Sequence, residues 1–188
     1  MRRVTVFNFM SLDGFFEGPV KGDISWHMHD EEGRAFSADK LAEGNTLLFG
    51  RVTYDIMSSY WPSEDALKKD PVVAESMNRA EKIVFSRTLN NAAWNNSMMI
   101  KDDVVGRIRE IKRSEGENMT ILGSGSIVTL FAAHGLIDEY QFMVDPVVLG
   151  SGTRIFDGIG KQLKLMLTGT KVFRNGSVLM CYKPKGDD

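Results

Sequence analysis

The segment NTLLFGRVTYD, residues 45–55, places an apolar run directly before a glycine and an arginine. Its uninterrupted LLF core is typical of a strand buried on both faces of a sheet, and Gly50 then permits a tight turn. The residues from Thr53 to Ser58 favour a short helix. A buried strand that turns directly into a helix predicts a parallel α/β sheet.

Two later segments repeat this pattern. KIVFSRT at 82–88 and MTILGSGS at 119–126 each place a β-rich run before small residues. Further strands are predicted from Val4 and over 97–101, and a long strand with a broken, glycine-bearing exit over 138–156. The last segment, from Leu163, predicts a hairpin that turns at Asn175-Gly176. The expected fold is therefore α/β, with a mostly parallel central sheet and an antiparallel C-terminal hairpin.

The intervening segments predict helices over 26–41, over 63–79 with an interruption near Pro71, and over 127–134. Another helix is expected after Asp102, which would cap it. No repeat or linker divides the chain, so its 188 residues predict a single domain.

Composition excludes several classes of function. The net charge of -2 gives no general attraction to nucleic acid or to anionic membranes. No apolar run approaches the roughly 20 residues that span a bilayer. Cys181 is the single cysteine, which excludes an internal disulfide and suits a reducing cytosol. These features predict a cytoplasmic protein that binds neither nucleic acid nor membranes.

The three strand ends carry the residues that suit an anionic ligand. Carboxyl ends of parallel strands form a ligand crevice, and helix N-termini there present N–H groups to phosphates. The glycines of LGSGS would admit a pyrophosphate, although the same turn also suits an ordinary helix entry. Arg51 and Arg87 would pair with phosphates, and two arginines favour a 2′-phosphate and hence NADP. Surface salt bridges are the alternative for both.

The glycine turn matches neither common nucleotide motif. GxxxxGK[ST] is absent, and Val128 stands where a dinucleotide fingerprint has its third glycine.

Four motifs together resemble a known family. LLFGRVTYDIM resembles the Gly-Arg-x-Thr segment of dihydrofolate reductases, and ILGSGSIVTLF resembles their strand-Gly-Gly-helix cofactor turn. The Ser-Leu-Asp-Gly sequence at 11–14 and the stretch from Pro146 through Gly150 and Gly152 are more similar to the reductases that include the C-terminal domain of the riboflavin-biosynthesis deaminase-reductase. The matches extend over residues 4–157 in the expected order.

The resemblance implies a three-layer dihydrofolate-reductase-like fold and NADPH as cofactor, with hydride transfer to a pyrimidine-like or pterin-like ring. Cofactor residues would be Gly50, Arg51 and Thr53 at a phosphate, Ser86 and Arg87 at the adenosine end, and Gly123, Ser124, Gly125 and Ser126 at the pyrophosphate. The family also implies a homodimer. A zinc-deaminase signature is absent, so the chain would supply a reductase activity alone.

The substrate side is defined by fewer residues. Asp13 and Glu31 are the catalytic candidates, and Asn8, Asp13, Asp30 and Trp61 are the candidates for substrate binding. A carboxylate in a partly apolar cleft would have a raised pKa and would deliver a proton. The alternatives are an Asp-Gly turn for Asp13, a solvated helix face for the acids at 30–32 and core packing for Trp61.

Two other interpretations complete the analysis. His27 and His29 lie two residues apart and would point to different helix faces, so no metal site is expected. A protein that binds a nucleotide or senses a ligand without turnover is the alternative to an enzyme.

Overall fold

The computed structural model describes residues 1–42 and 45–186. In this part of the chain the strands are β1 (Val4–Ser11), β2 (Phe15–Glu17), β3 (Thr46–Gly50), β4 (Lys82–Phe85), β5 (Ser97–Ile100), β6 (Met119–Leu122), β7 (Glu139–Asp145), β8 (Thr153–Arg154), β9 (Leu165–Val172) and β10 (Val178–Pro184). The helices are α1 (Glu31–Ala42), α2 (Arg51–Tyr60), α3 (Glu64–Lys69), α4 (Pro71–Arg79), α5 (Val104–Arg113) and α6 (Gly125–Ala133). The predicted α/β class with a mostly parallel central sheet is confirmed.

The described residues form two compact units. The first contains residues 1–2 and 29–120, and the second contains residues 3–28 and 121–186. The chain passes from one to the other within β6. A single reductase-like domain over 1–188 stays a prediction.

The first unit is built on parallel strands. β3 pairs with β4 and β4 with β5, all in parallel, and Leu47 lies opposite Lys82. Leu47, Leu48 and Phe49 are completely buried, as the apolar run in the sequence predicts. The interruption near Pro71 is also confirmed, because α3 ends at Lys69 and α4 begins at Pro71.

The second unit combines parallel and antiparallel pairing. β1 runs parallel to β7, and β10 pairs antiparallel with both β7 and β9. The predicted hairpin is confirmed: Gly176 has a φ of 90°, and the side-chain oxygen of Asn175 accepts a hydrogen bond from the Ser177 N–H at 2.9 Å.

The strand predicted over 138–156 is shorter than expected, whereas its broken, glycine-bearing exit is confirmed. β7 ends at Asp145, and only Thr153–Arg154 returns to strand geometry, as β8 paired antiparallel with β2. Gly152 lies within this exit, where its φ is 143° and an added Cβ would lie 2.2 Å from the carbonyl oxygen of Glu17. Only glycine fits this close approach of the backbone to β2.

Four helix starts differ from the prediction. α1 begins at Glu31 instead of Trp26 because Asp30 caps it, its side chain accepting a hydrogen bond from the Gly33 N–H at 2.7 Å. α2 begins at Arg51 instead of Thr53. The cap of α5 is Asp103 instead of Asp102. α6 begins at Gly125, two residues before the predicted start.

Among the described residues, no helix has the length and apolar character needed to cross a bilayer.

Candidate functional site

The glycine-rich turn of the second unit leads straight into a helix N-terminus. Gly123 and Ser124 both adopt left-handed backbone conformations, with φ of 62° and 56°. The carbonyl oxygen of Ser124 then accepts hydrogen bonds from the N–H groups of Ile127 and Val128. The first N–H groups of a helix have no partner within the helix, and its dipole favours an anion at this end. This start of α6 therefore has the geometry that suits a phosphate.

The two glycines of this turn are required for different reasons. Gly123 adopts the positive φ described above, which glycine permits without strain. Gly125 has a packing role, because an added Cβ would lie 2.8 Å from the ring of Phe16. Ser124 is buried, whereas Ser126 is exposed. Ser126 is therefore the hydroxyl of this turn that solvent can reach.

Gly50 and Arg51 form the entry to α2 in the first unit. Gly50 is the N-cap, in an extended conformation and without a side-chain cap, and Thr53 lies half-buried in the first helical turn. The guanidinium of Arg51 pairs with Asp55 at 2.9 Å, and both side chains are nearly half exposed. An exposed pair of this kind contributes at most about 1 kcal/mol, so a bound phosphate would compete well for Arg51.

Arg87 is held differently. The buried hydroxyl of Ser86 accepts hydrogen bonds from the N–H groups of Thr88 and Leu89, at 3.2 and 2.9 Å. This turn leaves Arg87 exposed, and within residues 1–42 and 45–186 its side chain has no ion-pair partner. Ser86 thus shapes the loop, and Arg87 is more available to an external anion than Arg51.

Asp13 joins two of the predicted motifs. Its carboxylate accepts hydrogen bonds from the hydroxyl of Ser11 at 2.7 Å and from the N–H groups of Leu149 and Gly150 at 3.1 and 2.8 Å. The backbone adds a further bond from the Leu12 N–H to the carbonyl oxygen of Val147. The Ser-Leu-Asp-Gly turn and the Pro146–Gly152 segment are therefore one hydrogen-bonded structure.

The raised pKa expected for Asp13 is wrong. Partial burial raises the pKa, but the hydrogen bonds from Ser11, Gly150 and Leu149 together outweigh it and lower the pKa to about 2. At neutral pH the side chain is ionised and has no proton to deliver. Its position fits a residue that anchors the 147–150 loop.

The remaining substrate candidates lie on two units. Asp30 is committed to capping α1, and Glu31 is exposed in the first turn of that helix. Trp61 is half-buried at the end of α2, where its indole N–H donates to the sulfur of Met57 at 3.1 Å. All three belong to the first unit, whereas Asn8 and Asp13 belong to the second. Asn8 is buried on β1, with its side-chain oxygen unpartnered among the described residues.

The second unit contains a buried polar cluster that was not predicted from the sequence. Asp145, completely buried at the end of β7, lies 2.6 Å from the Nδ1 of His27. It also accepts hydrogen bonds from the hydroxyl of Ser177 at 2.6 Å and from the N–H of Met28 at 3.2 Å. The ring of His27 stacks on Phe9 with the ring centres 3.5 Å apart. The one signal in the sequence was an acid that ends the apolar run FMVD.

This cluster is not a nucleophilic triad. In a serine hydrolase the histidine bonds the serine, whereas here Ser177 and His27 both bond the carboxylate of Asp145. Burial would raise the pKa of Asp145, but the bonds from His27 and Ser177 and the charge of His27 lower it below its ordinary value. The arrangement is a buried, hydrogen-bonded carboxylate that fixes the 27–28 segment to the end of β7 and to the turn before β10.

The first unit buries a lysine. The Nζ of Lys82 donates to the carbonyl oxygens of Asn78, Ala80 and Asn95 at 3.1, 2.7 and 3.0 Å. It also lies 4.3 Å from the centre of the Trp94 ring. Desolvation lowers the pKa of Lys82 to about 8. These contacts hold the end of α4 against the segment before β5.

A pocket of about 540 Å³ opens beside this lysine, and its wall includes Tyr54, Asn78 and Trp94. Tyr54 and Trp94 are fixed there, because the tyrosine hydroxyl accepts the Trp94 N–H at 2.9 Å. None of the predicted site residues is among those that line it.

His27 and His29 lie in different environments. His27 is committed to Asp145 and His29 is exposed. No group of three or more metal-ligating side chains occurs in the part of the chain that the structure describes.

We predict that Asp13→Asn will loosen the 147–150 loop. Since the folded pKa lies below the ordinary value of 3.8, the carboxylate of Asp13 stabilises this loop above about pH 4 and loses its effect as the pH falls toward about 2. Amide hydrogen exchange at Leu149 and Gly150 should therefore accelerate in the variant at neutral pH. Asp23→Asn, at another hydrogen-bonded carboxylate, serves as the control, and equal exchange in all three proteins would contradict this role.

We predict that His27→Phe will destabilise the protein by about 1.5–3 kcal/mol, because it keeps a ring on Phe9 but removes the hydrogen bond between Nδ1 and the buried carboxylate of Asp145. Ser177→Ala should cost about 1.5–3 kcal/mol, the range for a hydrogen bond to a charged group. Denaturant unfolding at neutral pH measures both. His29→Phe, at an exposed position, should change the free energy of unfolding little, and a similar loss there would argue against a specific role of the His27–Asp145 hydrogen bond.

Comparison with known proteins places these features in a family. The model of the RibD C-terminal domain matches residues 2–179. The uncharacterized protein YyaP of Bacillus subtilis (strain 168) is 30% identical over 185 residues, covering 98% of this chain and 96% of that protein.

Solved structures agree on the fold. A putative riboflavin biosynthesis protein from Shewanella sp. PV-4 superposes with a TM-score of 0.74 at 20% identity, covering 98% of this chain and 99% of that one. Dihydrofolate reductase from Enterococcus faecalis, complexed with NADP(H), superposes with a TM-score of 0.63 at 16% identity over 98% and 97% of the two chains. The predicted dihydrofolate-reductase-like fold is therefore confirmed. With its matched motifs joined through Asp13 and the family model extending over almost its whole length, the chain belongs to the RibD C-terminal domain family.

Proposed function

We propose that this protein is an NADPH-dependent reductase that transfers hydride to a small heterocyclic substrate of the pyrimidine or pterin type. The family match over residues 2–179 is the observation that carries the proposal, and it supports a reductase-like role. A homodimer in the cytoplasm is part of the same proposal and rests on the family resemblance.

The strand ends of each unit carry groups that suit a phosphate. The start of α6 offers N–H groups and the exposed hydroxyl of Ser126, which suit a pyrophosphate. Arg87 offers an exposed, unpaired guanidinium within the described chain, and it would bind the 2′-phosphate. Arg51 would add a second charge after leaving Asp55. NADPH, when bound, supplies the hydride.

We also propose roles for the side chains on the substrate side. Reduction of a polar double bond needs a proton as well as a hydride, and the ionised Asp13 does not provide one. Asp13 instead orients the 147–150 loop, and Glu31 stays a catalytic candidate. Asn8 is proposed as a substrate-binding residue because its buried oxygen is available for a donor.

The first test is turnover. Purified protein mixed with NADPH and pyrimidine, pterin or quinone-like acceptors should lose the absorbance of reduced nicotinamide with at least one of them. Tight binding of NADPH without oxidation by any acceptor would favour the ligand-sensing alternative. Absence of binding in calorimetry would eliminate both functions.

The two arginines should behave differently. We predict that Arg87→Ala weakens NADPH more than NADH, because only NADPH carries the 2′-phosphate, and that the loss is about 1.5–3 kcal/mol. Arg51→Ala should weaken both cofactors by a similar amount. Calorimetric titration of each variant with both nucleotides measures the difference.

Two controls separate phosphate binding from surface charge. Arg107→Ala removes another exposed helical arginine, paired with Glu110 at 2.9 Å, and should leave the affinity unchanged. Asp55→Asn releases Arg51 and should strengthen binding slightly. Unchanged NADPH affinity in both Arg51→Ala and Arg87→Ala would remove these residues from the site.

A further inference from the structure

Asn8 combines burial with an unsatisfied polar atom. Its residue exposure is 4%, and its side-chain oxygen Oδ1 has no hydrogen-bond partner among the described residues. A buried acceptor without a partner costs stability, and asparagine is in any case disfavoured within strands. An apolar side chain would avoid both costs. Because both costs occur at this one position of β1, asparagine there points to a role in function and not in folding.

The surroundings of Asn8 are apolar. Val4 and Val6 precede it on the same face of β1, and both are completely buried. Its register partner on β7 is Phe142, which is buried and packs edge-to-face against Phe156 with the ring centres 5.8 Å apart. The side chains of valine and phenylalanine offer no N–H or O–H group. The neighbours identified on this face therefore leave Oδ1 without a donor.

Asn8 is also the last buried residue before this face opens. The next residue on the same face of β1 is Met10, opposite Val144 of β7, and both are half-buried. The rise of a strand separates these two layers by roughly 7 Å. Met10 has an unbranched, flexible side chain, whose rotation would give a ligand access to the layer below. A ligand at the carboxyl ends of β1 and β7 would thus reach Asn8 next.

We propose that Oδ1 of Asn8 accepts a hydrogen bond from an amide-type N–H of a bound ligand. The donor is either the lactam or amino group of a heterocyclic substrate, or the carboxamide of the nicotinamide. The inference rests on the proposed reductase function and specifies the kind of ring that the site selects. A ligand that lacks this donor leaves a buried acceptor unpaired, and such sites discriminate strongly against it.

Asn8→Leu tests the inference, because leucine has the same branched arrangement of side-chain heavy atoms and no acceptor. The variant should melt at the same temperature as the wild type or higher, since it removes a buried unsatisfied oxygen, and its affinity for the ligand should fall about tenfold. If Asn8 had only a structural role, the substitution would lower both the melting temperature and the affinity for the ligand. Asn8→Ala removes the hydrogen-bond acceptor without introducing a larger side chain. It replaces Asn8→Leu if leucine does not pack at this position.

Ser97→Ala is the matched control. The hydroxyl of Ser97 on β5 is the other buried polar atom without a partner among the described residues. Its removal should leave ligand affinity unchanged. An equal loss of affinity in Ser97→Ala and Asn8→Leu would overturn the inference, because it would show a general effect of removing buried polar atoms.

The two possible donors are separated by the choice of ligand. Calorimetry would compare NADP⁺ with its 3-acetylpyridine analogue, which lacks the carboxamide NH₂. If the carboxamide is the donor, the wild type prefers NADP⁺ and Asn8→Leu abolishes this preference. If the substrate is the hydrogen-bond donor, Asn8→Leu leaves the affinity for both nucleotides unchanged and raises the KM of the substrate that accepts the hydride. N-methylation of that substrate should then weaken its binding to the wild type but not to Asn8→Leu.

The remaining outcomes distinguish this inference from the proposed function. If the wild type binds and oxidises NADPH and Asn8→Leu matches it in nucleotide affinity, KM and kcat, the inference is overturned while the reductase function stands. If the wild type binds no nicotinamide nucleotide, the proposed function fails and the role of Asn8 fails with it.

Discussion

The parallel pairing of β1 with β7 is the constraint on which the second unit depends. Its register places Ser11 opposite Asp145, so that both strands end at the same level. The chain leaves β1 through the Asp13-Gly14 turn and leaves β7 through the 146–150 segment, and Asp13 bonds the backbone of the second exit. A shift of one residue in this register would turn each side chain of one strand to the opposite face and separate these partners.

The two faces of β1 satisfy their buried polar groups differently. On one face Phe9 stacks on His27, and Asp145 bonds His27 and Ser177, so the buried charge has its partners within the chain. On the other face Asn8 has no partner for its oxygen among the described residues. A satisfied ion pair stabilises a fold only while all members are present, and an unsatisfied acceptor is stabilised only when a donor arrives. The first arrangement therefore suits structure and the second suits binding.

The residues proposed to bind phosphate differ in the existing contacts that they would lose on binding. Arg51 must leave Asp55, whereas Arg87 lies exposed on a turn that the hydroxyl of Ser86 maintains. The N–H groups at the start of α6 are fixed by the backbone, since Gly123 and Ser124 adopt positive φ before the helix begins. Binding groups that are already in place lose little conformational entropy when the ligand arrives. The α6 turn and Arg87 thus carry the stronger physical argument for a dinucleotide phosphate.

Local sequence patterns were enough to predict the α/β class, the buried strand before Gly50, the break at Pro71 and the hairpin at Asn175-Gly176. Each follows from apolar residues, glycine or proline, whose preferences act over a few residues. The order of the motifs also indicated the family. Contacts in the folded chain were needed to show that β7 stops at Asp145, that Arg51 is paired and that Asp13 is held ionised by a loop 136 residues away. These outcomes depend on contacts between distant segments, and hydrogen bonds and burial there override the preferences of the residues themselves.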